Sequence, residues 1–177
     1  KSNPKDKWIN YILYRYKFKT FPTKRIISNF PVHLCIEPTS VCNLRCIMCF
    51  QVDKTFSRNK EFMGFMEWDL FTSLVDQASD NNCHAITLAS RGEPTLHPRF
   101  GEMLEYIHKK NIMDVKINTN ATRLNEKLCR QILESNVATV TLSIDACDKE
   151  TYESIRVGGK FEDVLSNIKM LQEIRNK

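Results

Sequence analysis

Three cysteines, Cys42, Cys46 and Cys49, fall at positions i, i+4 and i+7 of one loop, directly after an extended run at 32–37 and a Pro38-Thr39-Ser40 turn. Thiolates this close in sequence bind a soft metal centre, and zinc or an iron–sulfur cluster is the usual occupant. The number of ligands decides what such a centre does. Four close a tetrahedral zinc site or cap every iron of a [4Fe–4S] cluster, whereas three leave one iron with an open position. An open position is where a reactant binds.

The rest of the chain must position that loop, and its periodicities describe how. Residues 32–37 alternate, with Val32, Leu34 and Ile36 on one face and His33, Cys35 and Glu37 on the other. A polar loop at 51–63 leads to a predicted helix at 66–78, with Met66, Leu70 and Leu74 (and Phe71 and Val75) on its apolar stripe. A strand at 85–89 runs into Ser90-Arg91-Gly92-Glu93-Pro94, and a helix follows at 98–109, with His97 at its entry. The pattern then gives a strand at 113–118, a helix at 124–134 and a strand at 138–144 that ends at Asp145. Helical stretches at 149–155 and 161–175, split at Gly158-Gly159, complete the chain. Strand and helix thus alternate, with connections short enough for right-handed parallel crossovers. Each strand also has a polar face: Thr139, Thr141, Ser143 and Asp145 oppose Val140, Leu142 and Ile144. A doubly wound sheet would bury both faces. One polar face predicts an α/β fold of the partial (β/α) barrel type, its chemistry at the C-terminal strand ends.

The cysteine spacing C-x₃-C-x₂-C resembles the cluster loop of the radical S-adenosylmethionine (radical SAM) superfamily. Three further stretches are similar to that family in the same order: Gly92-Glu93-Pro94, Ser143-Ile144-Asp145, and Tyr152 through Arg156, Gly158-Gly159 and Phe161. The chain departs from the family at Arg91, where a glycine is usual, and at Met48, where an aromatic is usual. The resemblance implies a [4Fe–4S] cluster on Cys42, Cys46 and Cys49, with S-adenosylmethionine (SAM) as its cosubstrate. It implies cofactor contacts at Gly92 and Glu93, with the backbone of this turn serving the methionine amino group. It assigns Ser143 and Arg156 to the SAM carboxylate, and Asn118 and Asn120 to the methionine end or the ribose. Asp145 either serves the same pocket or caps a helix. Reductive cleavage of SAM to a 5′-deoxyadenosyl radical, then hydrogen abstraction from a substrate, is the implied activity. The style of the loops resembles members with a SPASM or twitch extension, which makes peptide or protein modification the first expectation and small-molecule chemistry the second. A flavodoxin- or ferredoxin-like reductant is the implied partner.

The resemblance covers about residues 32–175. Four βα units are present where such cores usually have six, so the 32–177 unit is expected to be the N-terminal part of a longer core, with exposed sheet edges through which copies could self-associate. Residues 1–31 form a separate strap or helix. They carry eight Lys or Arg against the single acid Asp6, so this segment holds +7 of a chain whose net charge is +5. Seven aromatics are interleaved there, and Trp8, Ile9, Ile12, Leu13 and Tyr16 fall at helical spacing over about 7–19. A strap with a solvated basic face is the plain reading; docking to a partner or membrane surface is the sharper one. Nothing in it reads a nucleic-acid groove, and no nucleic acid is expected. No apolar run reaches the ~18–20 residues of a membrane span. Seven cysteines, three clustered and four scattered, do not form the framework of a secreted disulfide protein and point to the cytoplasm. The Asn120-Ala121-Thr122 sequon is then a coincidence, and Cys83, Cys129 and Cys147 are structural thiols. The competing class is a non-catalytic module holding zinc or a cluster structurally, with Cys35 as the fourth ligand. Cys35 lies seven residues before Cys42, roughly 20 Å along an extended chain, so the turn would have to fold back.

Overall fold

The structure, a computed structural model, describes residues 4–177, with side chains from Trp8 onward. The first three residues of the basic segment lie outside the described residues. Four strands, β1 (Leu34–Ile36), β2 (Ala85–Leu88), β3 (Asp114–Thr119) and β4 (Thr139–Leu142), pair in parallel and in sequence order. Parallel neighbours that are also consecutive each need a crossover. Helices α3 (Trp68–Asp80), α4 (Phe100–Lys109) and α5 (Glu126–Glu134) supply them, and α6 (Lys149–Ile155) and α7 (Phe161–Arg175) follow β4. This is the partial (β/α) barrel that the alternation predicts. The segment expected to be a plain polar loop instead holds a 3₁₀ turn, Phe50–Val52, and one short helix, α2 (Lys54–Ser57). Asp53 starts α2 by accepting the Thr55 N–H at 2.8 Å.

One face of the sheet is dry. Ile36, Ile86, Leu88, Val115 and Ile117 are buried there against Phe71, Val75, Phe100, Met103, Leu104 and Ile132 of the helices. The register sets Ile86 beside Val115 and Leu88 beside Ile117, so apolar rows run across the strands. The other face carries Cys35, Thr87, Lys116, Asn118 and Thr141. In α3 the buried stripe is Phe71, Val75 and Ala78, and Leu70 is 53% exposed. A step of 100° per residue aligns 71, 75 and 78 and leaves 70 at the edge.

The basic segment forms a longer helix than expected, α1 (Pro4–Lys24). The residues whose spacing announced it are not the ones that dock it. Trp8, Ile9, Ile12, Leu13 and Tyr16 are all exposed, while Tyr14, nearly opposite them on the helix, is 4% exposed. Tyr14 packs beside the Asp114 carboxylate at the start of β3. Phe18 meets the His33 ring edge-on, with centroids 5.8 Å apart, just ahead of β1. The helix therefore lies across the N-terminal strand ends, the end that barrels use for stability. No helix among the described residues is long and apolar enough to cross a membrane.

Burial, and after it the Asp114 carboxylate, push the Tyr14 hydroxyl from a pKa of 10.0 up to about 12. A folded-state pKa above the unfolded value means that the folded chain holds this proton more tightly. The resulting stabilisation is complete below pH 10 and is lost as the pH rises towards about 12. Tyr14→Phe should lower stability at neutral pH by about 1–2 kcal/mol. It should also remove part of the alkaline decline, and urea unfolding near neutral pH and near pH 11 checks both.

Candidate cofactor site

The cysteine loop is gripped from two sides. At the end of α6, the Arg45 N–H donates to the Val157 carbonyl at 2.8 Å and the Ile47 N–H to the Ile155 carbonyl at 3.0 Å. Leu44, 1% exposed, plugs the loop onto the core. On the other side, the Glu93 N–H donates to the Val41 carbonyl at 2.9 Å. Gly92 comes so close that a Cβ there would lie 2.1 Å from the Thr39 carbonyl oxygen and 2.6 Å from that of Val41. Only glycine permits this approach. The Cys49 N–H then closes on the Cys46 carbonyl at 2.9 Å. All three cysteines consequently line one cavity of about 410 Å³, together with Met48, Arg91, Gly92, Glu93, Asn118, Asn120, Ser143 and Arg156. That volume lies within the usual range for small-molecule sites.

The residues expected at the site divide into two groups. Glu93 is 3% exposed and its carboxylate is spent on protein donors. One oxygen accepts the Thr95 hydroxyl and the Thr119 hydroxyl, each at 2.6 Å, and the other accepts the Asn120 N–H at 2.7 Å. Glu93 is thus a buckle between the turn after β2 and the end of β3. Asn120 is similarly engaged: its amide donates to Asn43 at 3.1 Å and accepts from Thr122. At 5% exposure it is no glycan acceptor. Asn118 differs, because its side-chain oxygen is buried on the cavity wall without a hydrogen-bond partner. A buried acceptor left open in this way is set up for a donor from a ligand.

Ser143 lines the cavity, tied by its N–H to the Thr119 carbonyl at 2.8 Å. Asp145 and Arg156 form an ion pair with each other, and the Arg156 guanidinium also reaches the Cys46 sulfur at 3.5 Å. Asp145 does not cap a helix: Asp148 caps α6, accepting the Thr151 N–H at 2.9 Å. Arg156 therefore stands at the cavity with its charge shared between Asp145 and the cysteine loop. His97 fixes a helix entry, as its position foretells. One ring nitrogen accepts the Arg99 N–H at 3.1 Å and the other meets the Met66 carbonyl at 3.0 Å. Of the scattered cysteines, Cys83 and Cys129 are buried, but Cys147 is exposed and is not a core thiol.

Two functional positions escaped the sequence patterns. Gln51, 1% exposed, donates to the Ser40 carbonyl at 2.7 Å and the Arg91 carbonyl at 3.1 Å, stitching the cysteine loop to the turn after β2. Glu37 accepts the Arg91 N–H at 2.9 Å and its guanidinium at 2.7 Å. Only its place on the polar face of strand one hinted at a role. The turn it holds is strained one residue before the Arg91 departure. Ser90 has φ of 129°, whereas Arg91 itself avoids the positive-φ region. Such a conformation costs a non-glycine residue about 1–3 kcal/mol.

The donor set fits an iron–sulfur cluster better than zinc. Among the residues lining the cavity there is no fourth cysteine and no histidine. Cys35 is exposed on β1, paired in register with Thr87, and does not join the wall. Among the described residues no three His, Cys, Asp or Glu side chains gather tightly enough for a single ion. Burial also pushes the Cys42 thiol up, opposed by the Leu44 N–H and reinforced by Glu93 and the other two cysteines. Thiolates at such a place form when a metal centre arrives and displaces their protons.

The family model of the radical SAM superfamily matches residues 36–177. This chain belongs to the radical SAM superfamily. The cofactors of a radical SAM protein are a [4Fe–4S] cluster and SAM, the pair to which this cavity is suited. A tungsten-containing aldehyde ferredoxin oxidoreductase cofactor-modifying protein of Pyrococcus furiosus is 33% identical over 147 residues, which is 80% of this chain and 40% of that protein. A cysteine-type anaerobic sulfatase-maturating enzyme of Clostridium novyi is 31% identical over 157 residues, 80% of this chain and 41% of that protein. Streptococcus suis SuiB bound to SAM shares the fold, with a TM-score of 0.68 at 22% identity over 99% of this chain and 36% of SuiB. The anSMEcpe structure with bound AdoMet and the Cp18Cys peptide gives 0.65 at 26% identity over 82% of this chain and 41% of that one. The chain therefore spans about 40% of the length of the curated relatives it matches.

Proposed function

We propose that this radical SAM chain holds its cluster on Cys42, Cys46 and Cys49, binds SAM beside it, and serves hydrogen abstraction from a peptide. A [4Fe–4S] cluster held by Cys42, Cys46 and Cys49 would supply the one-electron reduction of SAM on which hydrogen abstraction in this family depends. The protein's own work is to bind, orient and exclude. Three thiols with no fourth cysteine and no histidine on the wall, and with the Glu93 carboxylate already committed to Thr95, Thr119 and Asn120, leave a position for SAM, and this observation carries the reading. The Asn118 oxygen stands open for a donor, and the Gly92 turn brings backbone to the cavity edge. Arg156 and Ser143 complement a carboxylate.

Peptide substrates are favoured by the relatives: the sulfatase-maturating enzyme acts in maturation, and the anSMEcpe structure holds a peptide. Probable GTP 3′,8-cyclases of Methanococcus maripaludis, about as similar at 29–30% identity, keep small molecules as the second substrate class. The electron comes from a flavodoxin- or ferredoxin-like reductant. Ile47 and Met48, 64% and 60% exposed on the cysteine loop, offer it an apolar landing beside the cluster.

The test is anaerobic reconstitution with iron and sulfide, followed by EPR of the reduced protein with and without SAM. A [4Fe–4S]⁺ signal that shifts on adding SAM is expected. A cluster signal indifferent to SAM, or zinc with no cluster, would sink the proposal.

A further inference from the structure

We infer that Glu37 is a positioning residue that holds the turn after β2 in its SAM-binding shape, chiefly through the backbone of Arg91. The inference rests on the SAM site proposed above, and it starts from a strained residue. Ser90 sits at φ 129°, a region that favours glycine, at the edge of the cavity. A strained backbone persists only where its surroundings over-determine it. Several restraints surround this turn. The Ala89 N–H reaches the Ile36 carbonyl at 3.2 Å, Gln51 holds the Arg91 carbonyl at 3.1 Å, and the Glu93 N–H holds the Val41 carbonyl at 2.9 Å. A further backbone group, the Arg91 N–H, goes to Glu37 at 2.9 Å.

The Arg91 side chain then folds back on the same carboxylate, with Nε at 3.0 Å and Nη2 at 2.7 Å. As an ion pair this adds little, because the Arg91 side chain is 52% exposed and solvent screens it. The Glu37 side chain is 19% exposed, and the oxygen that takes the backbone N–H does not depend on holding the exposed Arg91 side chain in place. Charge-assisted bonds to backbone N–H groups are short and directional. Glu37 directly follows β1 and Ser90 lies just beyond β2, and Ile36 and Leu88 pair across those strands, so the carboxylate lies one step beyond the ladder. Glu37 thus extends the pairing by one side-chain bond and sets where the next residues, Gly92 and Glu93, face the cavity.

Three variants separate backbone from side-chain action: Glu37→Ala, Glu37→Gln and Arg91→Ala. Two readouts are needed. Hydrogen–deuterium exchange of residues 89–93, read in the cluster-loaded protein without SAM, reports the hold on the turn. Titration of the SAM-dependent EPR shift reports affinity. Glu37→Ala should raise exchange at 89–93 and weaken SAM binding about tenfold or more, with iron content per chain unchanged. Glu37→Gln keeps a carbonyl oxygen for the N–H and should recover most of both. Arg91→Ala should lose less than Glu37→Ala in each readout. Unchanged exchange in Glu37→Ala would overturn the hold, and unchanged SAM affinity despite faster exchange would overturn its bearing on SAM. An Arg91→Ala defect equal to that of Glu37→Ala would assign the effect to the side-chain pair instead. If the unaltered protein shows no SAM shift, the SAM reading falls, and with it Glu37's role towards SAM, while the exchange data still decide whether Glu37 holds the turn.

Discussion

Cys42→Ala is expected to abolish cluster assembly, with iron after anaerobic reconstitution falling from about four per chain to a small residual. The size of the effect follows from the ligand count. Among the residues lining the cavity no histidine or further cysteine could take over, and Cys35 stays on β1, off the wall. Glu93, the one acidic side chain there, has both oxygens committed to Thr95, Thr119 and Asn120. Two thiols would have to hold a cube that ordinarily needs three or four. The fold should survive, since Cys42 is not among the core residues packed between sheet and helices. Circular dichroism of the apo variant should match that of the apo parent. The exposed Cys147→Ala is the matched control and should load iron normally. Full iron occupancy in Cys42→Ala would refute the ligand assignment.

What the sequence made legible was periodicity and local spacing. Strand alternation assigned the correct face to Ile36, Ile86 and Ile117, and the cysteine spacing announced a loop whose three thiols do share one cavity. Those signals are local, and the fold amplifies them. What stayed hidden was partnership between charged groups on different elements. Arg156 was assigned to a ligand by resemblance and Asp145 either to the same pocket or to a helix cap, and each is already paired with the other. Glu93 belongs to a recognised motif, yet its carboxylate works as a buckle to β3 rather than facing a ligand. A motif records which residue type is required and leaves open whether it serves the cofactor or the backbone that holds the cofactor. The N-terminal helix misled for another reason. It has apolar side chains on nearly opposite faces, Tyr14 inward and Ile9, Ile12 and Tyr16 outward, so periodicity alone could not say which face docks.

Gly92→Ala should be among the most damaging single changes outside the cysteines, because nothing around it can retreat. The added methyl would meet the Thr39 oxygen at 2.1 Å, the Val41 oxygen at 2.6 Å and the Ser40 carbonyl carbon at 2.8 Å, all of them backbone. Thr39 and Ser40 are tied elsewhere, and Val41 is tied to the turn itself. Thr39 bridges to Phe65, the Ser40 N–H holds the Gly64 carbonyl at 3.1 Å, and the Val41 carbonyl accepts from Glu93. Overpacking against side chains costs about 1–3 kcal/mol, and against anchored backbone the cost should be about 3 kcal/mol or more. For a chain of this size that corresponds to a fall in Tm of roughly 6–12 °C. The only relief is for the turn to move away from the cysteine loop, which displaces the backbone proposed to face SAM. The variant should therefore still load iron, since its cysteines are intact, while its SAM-induced EPR shift disappears. Gly64→Ala is the internal control: a Cβ there meets nothing within 4 Å, so its Tm should stay within a degree or two of the parent. A Gly92→Ala protein that melts with the parent and keeps its SAM response would mean that the turn after β2 does not press on the cysteine loop.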